Sequence, residues 1–337
     1  MNTATLTPIR WRDALFTMPS MSGSQWRQLN PLLQWLIMVR APVLLMTLCT
    51  VLVGLLLALA NGPVNILYVA ALLVGLTSAH ATNNLLNDWI DSRRGIDQDN
   101  YFRARYGVQV LEAGLVSEAK YKGIVLLTAL PALLAGAFLV WQCGSEVLAL
   151  TCAGAFLVVF YTWPLKHWAL GELAVLLAWG PLMTAGSYYV LTATLNWQIL
   201  LVSLVYGVGP TLVILGKHID KAAEDNQKGV HTLPVVIGER RARYLSIGLL
   251  ISQWLLLASL VVFDTYFLPL VICLLALPPA RASFSALLHK RPTERPADYP
   301  AAAWPLWFSA YTFRYTSHFG SWLILALIVC FASSATT

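Results

Sequence analysis

Residues 87–97 read Asn87-Asp88-Trp89-Ile90-Asp91-Ser92-Arg93-Arg94-Gly95-Ile96-Asp97, and they close an apolar run over 64–86 in a chain that otherwise avoids carboxylates. Ionisable groups at membrane depth cost roughly 3 kcal/mol each at a helix centre and mark functional sites by default. A second acidic group, Asp220-Lys221-Ala222-Ala223-Glu224-Asp225, follows another apolar run over 197–216. Two such clusters at the mouths of membrane helices point to one shared cation site.

The rest of the chain supports that setting. Hydrophobic residues are 58% of the 337 and charged residues 11%, against roughly 25% charged in soluble domains. Apolar runs recur near 42–61, 64–86, 123–141, 147–163, 170–193, 197–216, 244–263, 266–281 and 320–336. Many approach the ~20 residues that a membrane helix needs. They predict an all-α fold, a polytopic membrane helical bundle of about nine transmembrane helices. The eighth run is short and carries Pro278 and Pro279 near its end.

With nine spans, all 22 Lys and Arg fall on one side, and the opposite connections carry none. Positive charge marks the cytoplasmic side, so the N-terminus is expected in the cytoplasm and the C-terminus outside. An even number of spans would scatter the basic residues over both faces. The net charge of +6 then reads as orientation in a lipid bilayer and attraction to anionic headgroups or substrates, not as nucleic-acid binding. Residues 1–34 read as a cytoplasmic or interfacial segment, not a signal peptide, and 35–337 as the transmembrane domain. The cysteines at 49, 143, 152, 273 and 330 show no paired spacing, which argues against disulfides or zinc.

If the second helix continues through 83–91, Asn83, Asn87 and Asp91 stack along one face, and Asn84 and Asp88 form the adjacent row. Gly95 ends the helix, and Asp97 can turn back toward the same place. Carboxylates and amide oxygens at this spacing suit a hard divalent cation such as Mg²⁺, completed by substrate phosphates. The alternative is a solvated helix end. In the second cluster Asp220 and Glu224 are four apart, Asp225 lies alongside, and Lys217, His218, Lys221 and Lys228 surround them. Acids for a metal beside bases for phosphate oxygens are what a metal–diphosphate requires; the alternative is an exposed helix of alternating charges. His218 has three readings: a phosphate contact, a base, or a helix cap.

At this point the residues resemble the UbiA superfamily of intramembrane prenyltransferases, from about Arg40 to the ninth span. Asn87, Asp91, Gly95 and Asp97 match its first motif. The Asn87-Asp88 pair, the stretch Phe160-Tyr161-Thr162-Trp163-Pro164-Leu165-Lys166 with Leu170-Gly171-Glu172-Leu173, and Lys228-Gly229-Val230-His231-Thr232-Leu233 with Gly238 are similar to the 1,4-dihydroxy-2-naphthoate prenyltransferase branch. The second motif departs from the pattern. Counting back from Gly229 and Thr232, Asp225 falls on the second aspartate, but Lys221 stands where the first is expected, and Asp220 and Glu224 are each one residue early. One residue rotates a helical side chain by about 100°.

The resemblance implies Mg²⁺-dependent transfer of a prenyl group from a polyprenyl diphosphate to an aromatic acceptor, with pyrophosphate release, at a site facing the cytoplasm from the cell membrane. Asn87, Asp88, Asp91, Asp97, Asp220, Glu224 and Asp225 are the candidate metal ligands, with Asp91 and Asp225 central. Lys166 is the leading candidate to stabilise the departing pyrophosphate, ahead of Arg103, Arg105, Lys217 and Lys228; the positive-inside rule explains any one of these equally well. Asn84, Asn87, Tyr161 and His218 are candidate substrate contacts. Arg40 either orients an acidic acceptor or snorkels to the interface. Glu172 is costly if buried and is assigned a polar role in the site. No acid–base dyad is visible. Other aromatic acceptors such as 4-hydroxybenzoate or a natural-product ring, terpene cyclisation, and a membrane transporter stand as alternatives.

Overall fold

The computed structural model describes residues 9–98, 107–301 and 303–334, so Arg103 and Arg105 lie outside the described residues. Among the described residues the chain is helical throughout, without strands. Three short N-terminal helices, α1 (Trp11–Phe16), α2 (Gly23–Gln28) and α3 (Pro31–Met38), lead into the bundle. The long helices are α4 (Ala41–Leu59), α5 (Ile66–Arg93), α6 (Glu118–Cys143), α7 (Ser145–Phe160), α8 (Gly171–Thr192) and α9 (Trp197–Asp220). Two short helices, α10 (Ala222–Gln227) and α11 (Leu233–Ile237), precede α12 (Glu239–Phe263), α13 (Thr265–Leu288) and α14 (Phe308–Ser334).

Eight of these are long and apolar enough to cross a membrane, and α7 is a shorter apolar helix. The nine runs expected from hydropathy therefore become eight long helices and a short one. The largest correction falls at a polar end. α14 begins at Phe308 instead of 320, because polar and charged residues occupy the helical turns nearest the interface, whereas α5 continues through 83–91 to Arg93 as its polar row requires. Pro278 and Pro279 do not end the eighth helix. They stand in the first turn of its α-helical half, Leu277–Leu288, after a 3₁₀ half, Thr265–Ala276. Proline suits that first turn because its missing N–H has no intrahelical partner there.

α6 has only 11% of its most apolar window buried, and Leu126, Leu133 and Trp141 are exposed on it. Such a surface is stable in lipid, not in water. α9 is the opposite, with 72% of its window buried, and it packs on α8, α12 and α14. Close approach is set by small residues, as between membrane helices generally. A Cβ on Gly216 of α9 would come within 2.9 Å of the Phe308 carbonyl carbon and the Ser309 nitrogen. Gly216→Ala is therefore expected to lower stability by about 1–3 kcal/mol, read as a lower melting temperature in detergent; an unchanged melting temperature would mean that the α9–α14 contact yields freely.

Connections 60–65, 144, 193–196 and 264 carry no Lys or Arg, so the basic residues collect at the other end of the bundle, with Asp91 and Asp225. The N-terminal segment folds onto that end. Trp26 is buried with Leu33, Met38, Val110, Val116 and Tyr121, and Ser22 and Asn30 cap α2 and α3 through their side chains.

Candidate active site

Both acidic clusters end their helices in the same way. Gly95 has φ +66° and Gly229 φ +68°, a left-handed position that glycine adopts without a Cβ penalty. The Ile96 amide donates to the Asp91 carbonyl at 2.9 Å and the Gly95 amide to the Ser92 carbonyl at 3.0 Å. In the second cluster the Val230 amide donates to the Asp225 carbonyl at 2.8 Å and the Gly229 amide to the Asn226 carbonyl at 3.2 Å. This pair of bonds closes a helix at its C-terminus as a Schellman turn. Each key aspartate is thus fixed one turn before a glycine stop. Lys228 then ties the turns together, its Nζ donating to the carbonyls of Gln98 (2.6 Å) and Gly95 (3.4 Å).

Asp91 and Asp225 line one cavity of about 960 Å³. At its polar end Lys166 Nζ donates to both Asp91 carboxylate oxygens at 2.8 Å, and Lys221 Nζ lies 3.4 Å from Asp225 Oδ1. Lys166 sits in a 3₁₀ turn, Leu165–Trp168, and its amide donates back to the Tyr161 carbonyl (2.8 Å). Asn87 Nδ2 donates to Thr162 Oγ1 at 3.1 Å and Asn84 Nδ2 to the Val39 carbonyl at 2.9 Å. Arg40, Asp97, Tyr161, Lys217 and His218 line the same space. Burial, and after it the charges of Glu172 and Asp91, hold the Tyr161 phenol well above its ordinary range. Away from this end the walls become apolar, with Leu72, Leu139, Val147 and Val190 from α5, α6, α7 and α8. The arrangement can hold a compact polyanion at one end and a hydrocarbon at the other.

The donor set fits a hard cation. Three carboxylates, those of Asp91, Asp97 and Asp225, line one space, and Asp91 and Asp225 each already neighbour an ammonium group. Among the described residues no three His, Cys, Asp or Glu side chains converge on one point. That is what Mg²⁺ tolerates, since it takes one or two carboxylates and completes its shell with water and substrate phosphates.

The chain matches the UbiA prenyltransferase family over residues 47–304. It belongs to that family. The 1,4-dihydroxy-2-naphthoate octaprenyltransferase of Escherichia coli is 26% identical over 75% of this chain and 84% of that protein. The Haemophilus influenzae enzyme of the same name is 26% identical over 58% of this chain and 67% of its own length. Among solved structures, a UbiA homolog from Archaeoglobus fulgidus bound to GPP and Mg²⁺ superimposes with a TM-score of 0.59 at 13% identity, covering 88% of this chain and 99% of that one. The two share the UbiA fold.

Five expected residues of this UbiA family member stand outside the cavity. Asp220 is a correction. Its carboxylate accepts from the amides of Trp307 (3.0 Å), Phe308 (3.1 Å) and Ser309 (3.0 Å) and from Ser309 Oγ (2.8 Å). It anchors the start of α14 and is not turned toward a metal. The reason is helical phase: Pro210, Val213, Ile214, Lys217, His218 and Lys221 face the cavity, a three-and-four stripe that residue 220 misses by about 100°. Asp88 is likewise off its stripe and pairs with Arg40. Glu224 is off the cavity, with Oε2 buried and without a hydrogen-bond partner. Lys228 bonds carbonyls, as above, in place of a phosphate. Glu172 lies behind His218 and is bonded to it at 2.7 Å.

Lys221, one of the bases that surround the second cluster in the sequence, lies beside Asp225. The mouth is also partly covered by Phe16, Thr17 and Met18 at the end of α1 and by Pro300, Ala303 and Leu306 before α14. Nothing in local periodicity signals either cover.

Proposed function

We propose that this protein transfers a prenyl group from a polyprenyl diphosphate to an aromatic acceptor of the 1,4-dihydroxy-2-naphthoate kind, releasing pyrophosphate in an Mg²⁺-dependent reaction. The observation that carries the reading is one cavity with Asp91, Asp225, Lys166 and Lys221 at one end and an apolar channel between α5 and α8 at the other. The Escherichia coli and Haemophilus influenzae relatives, both naphthoate octaprenyltransferases, supply the acceptor class. The Archaeoglobus homolog, bound to GPP and Mg²⁺, supplies the pairing of a prenyl diphosphate with the metal.

In this reading Asp91 and Asp225 hold Mg²⁺, whose charge would stabilise the leaving diphosphate. Lys166, Lys217 and Lys221 bind the remaining phosphate oxygens as fixed positive charges. Asn84 and Asn87 keep the α5 end in register beside them. The prenyl chain lies along the apolar walls, which exclude water from the allylic cation. Tyr161 presents an aromatic face to that cation, and Arg40, turned to the cavity and the Asp88 carboxylate, receives the polar edge of the acceptor. The clustering of Lys and Arg at this end supports a site that faces the cytoplasm from the cell membrane.

The test is direct. Purified protein in nanodiscs with Mg²⁺, labelled polyprenyl diphosphate and 1,4-dihydroxy-2-naphthoate is expected to yield prenylated product and pyrophosphate. EDTA should stop the reaction and added Mg²⁺ restore it. Turnover undiminished by chelation would remove the metal from the scheme. A cyclic hydrocarbon formed without acceptor would replace transfer by cyclisation, and solute flux without turnover would end the enzyme reading.

A further inference from the structure

The two acidic clusters are unequal once folded. From the first, Asp91 on α5 and Asp97 after the Gly95 turn line the cavity. From the second, Asp225 is the one carboxylate that does so among the described residues. Asp220 is bonded to the amides of Trp307, Phe308 and Ser309, and Glu224 lies off the cavity. What α9 adds beside Asp225 is Lys217 and Lys221, four residues apart on the stripe that faces the space. Lys221 Nζ stands 3.4 Å from Asp225 Oδ1, and the two side chains are 10% and 6% exposed. The α9–α10 side thus brings two ammonium groups and one carboxylate to the polar end.

Burying an ion pair costs desolvation that its own attraction does not reliably offset, so packing alone is a weak reason for Lys221 to stand here. Helical phase explains its place. Residue 221 follows 217 by one turn and keeps the stripe, whereas residue 220 points about 100° away. Position 221 is also where the sequence departs from the motif, a lysine standing where an aspartate is expected. That exchange alters the local charge by two units, which is the charge of one Mg²⁺. A carboxylate at 221 would give α9–α10 two acids on the cavity, enough to hold an ion of their own, since Mg²⁺ takes one or two carboxylates beside substrate phosphates. Paired cations are a common clamp on phosphate oxygens. An ammonium fixed on α9 performs the electrostatic part of that work, and it donates hydrogen bonds to those oxygens directly. It also disfavours a second ion. A cation held by Asp225 without Asp91 would face Lys217 and Lys221 with one carboxylate to offset them.

We infer that the site takes a single Mg²⁺, shared by Asp91 and Asp225, and that Lys221 is the fixed cation standing in for a second. The inference rests on the reading of the protein as an enzyme that binds a polyprenyl diphosphate, and it concerns how that diphosphate is held. Lys166 offsets the charge of Asp91 from its own side of the cavity. Lys221, with Lys217 one turn earlier, covers the diphosphate oxygens on the α9 side. Donor binding then follows the first power of the Mg²⁺ concentration, because one ion enters with each donor.

The decisive measurement counts ions. Full-length protein in nanodiscs of zwitterionic lipid is saturated with a non-cleavable prenyl diphosphonate and titrated with Mn²⁺, whose free form is read by paramagnetic resonance. The affinity of the same diphosphonate is then measured against Mg²⁺ concentration. Wild type is expected to hold one diphosphonate-dependent Mn²⁺ per chain, with affinity rising in proportion to Mg²⁺ below saturation. Lys221→Asp should hold two ions and show a squared dependence on Mg²⁺. Lys221→Met should keep one ion and bind the diphosphonate about tenfold more weakly, the loss of one charge-assisted hydrogen bond. Two ions in wild type would overturn the inference, and that count needs no variant to fold. A folded Lys221→Asp protein that still holds one ion would also defeat it. Wild-type affinity in Lys221→Met would do the same, leaving Lys221 a partner of Asp225 alone. A wild-type chain that binds no diphosphonate at any Mg²⁺ concentration would instead remove the diphosphate reading itself, and the role of Lys221 with it.

Discussion

Asp91→Asn and Asp225→Asn are each expected to reduce prenyl transfer by at least about 1,000-fold, because roughly 4 kcal/mol of lost charge stabilisation corresponds to that factor. Both carboxylates face the same cavity, so neither is expected to compensate for the other. The Asp91 variant carries a complication that the structure itself resolves. Lys166 is buried, and its ammonium faces both Asp91 oxygens at 2.8 Å; removing the carboxylate charge leaves a buried cation, which costs several kcal/mol when its partner goes. Loss of activity in Asp91→Asn alone thus mixes chemistry with folding. Asp91→Asn combined with Lys166→Met removes the stranded charge, and its melting temperature is expected to recover toward wild type while transfer stays lost. Melting curves, donor-analogue binding and product formation on the three variants check this. Product formation by the double variant at even about a tenth of the wild-type rate would dismiss Asp91 as a holder of the metal–diphosphate. Asp225→Asn has no such complication of the same size, since Lys221 stands farther off, at 3.4 Å.

How far the site is legible in the sequence depends on helical phase. On α5 the row of Asn83, Asn87 and Asp91 is readable, because polar residues four apart at the end of an apolar run stack on one helix face, and all three line the cavity. On α9 and α10 the acids at 220 and 224 draw attention by their charge. The geometry instead follows the stripe of Lys217, His218 and Lys221 and ends at Asp225, after the helix breaks at Lys221. The offset between Lys221 and the expected aspartate is visible in the sequence. Where Asp220 points is not, because its partners are backbone amides at 307–309. The Glu172–His218 pair is hidden for the same reason: each residue has a local reading, and only the packing of α8 on α9 joins them. Long-range pairing leaves no periodic trace. The membrane helices themselves are legible wherever lipid sets the composition, and misjudged at 308–320, where polar residues continue a helix beyond the apolar core.

Asp220→Ala is expected to destabilise the protein by about 3–5 kcal/mol, the cost of removing one partner from a buried, fully bonded charged group. The carboxylate receives three amides and a hydroxyl at the start of α14. Amides at a helix N-terminus have no intrahelical acceptor, and an anion there is further favoured by the helix dipole. Arg291 Nη1 reinforces the junction by donating to the Asp220 carbonyl at 3.0 Å and the Pro305 carbonyl at 3.2 Å. Asp220 thereby fastens the loop whose Pro300, Ala303 and Leu306 border the cavity mouth. Asp220→Asn keeps one acceptor oxygen and should lose roughly half as much, since each buried amide left unpaired costs about 1–3 kcal/mol. Thermal melting in detergent reads both losses. The same variants separate an anchor from a metal ligand: in the folded fraction, Mg²⁺ should support donor-analogue binding at the same half-saturating concentration as in wild type. An Asp220→Asn protein with unchanged melting but a markedly weakened Mg²⁺ affinity would return this residue to the metal site and reverse the assignment.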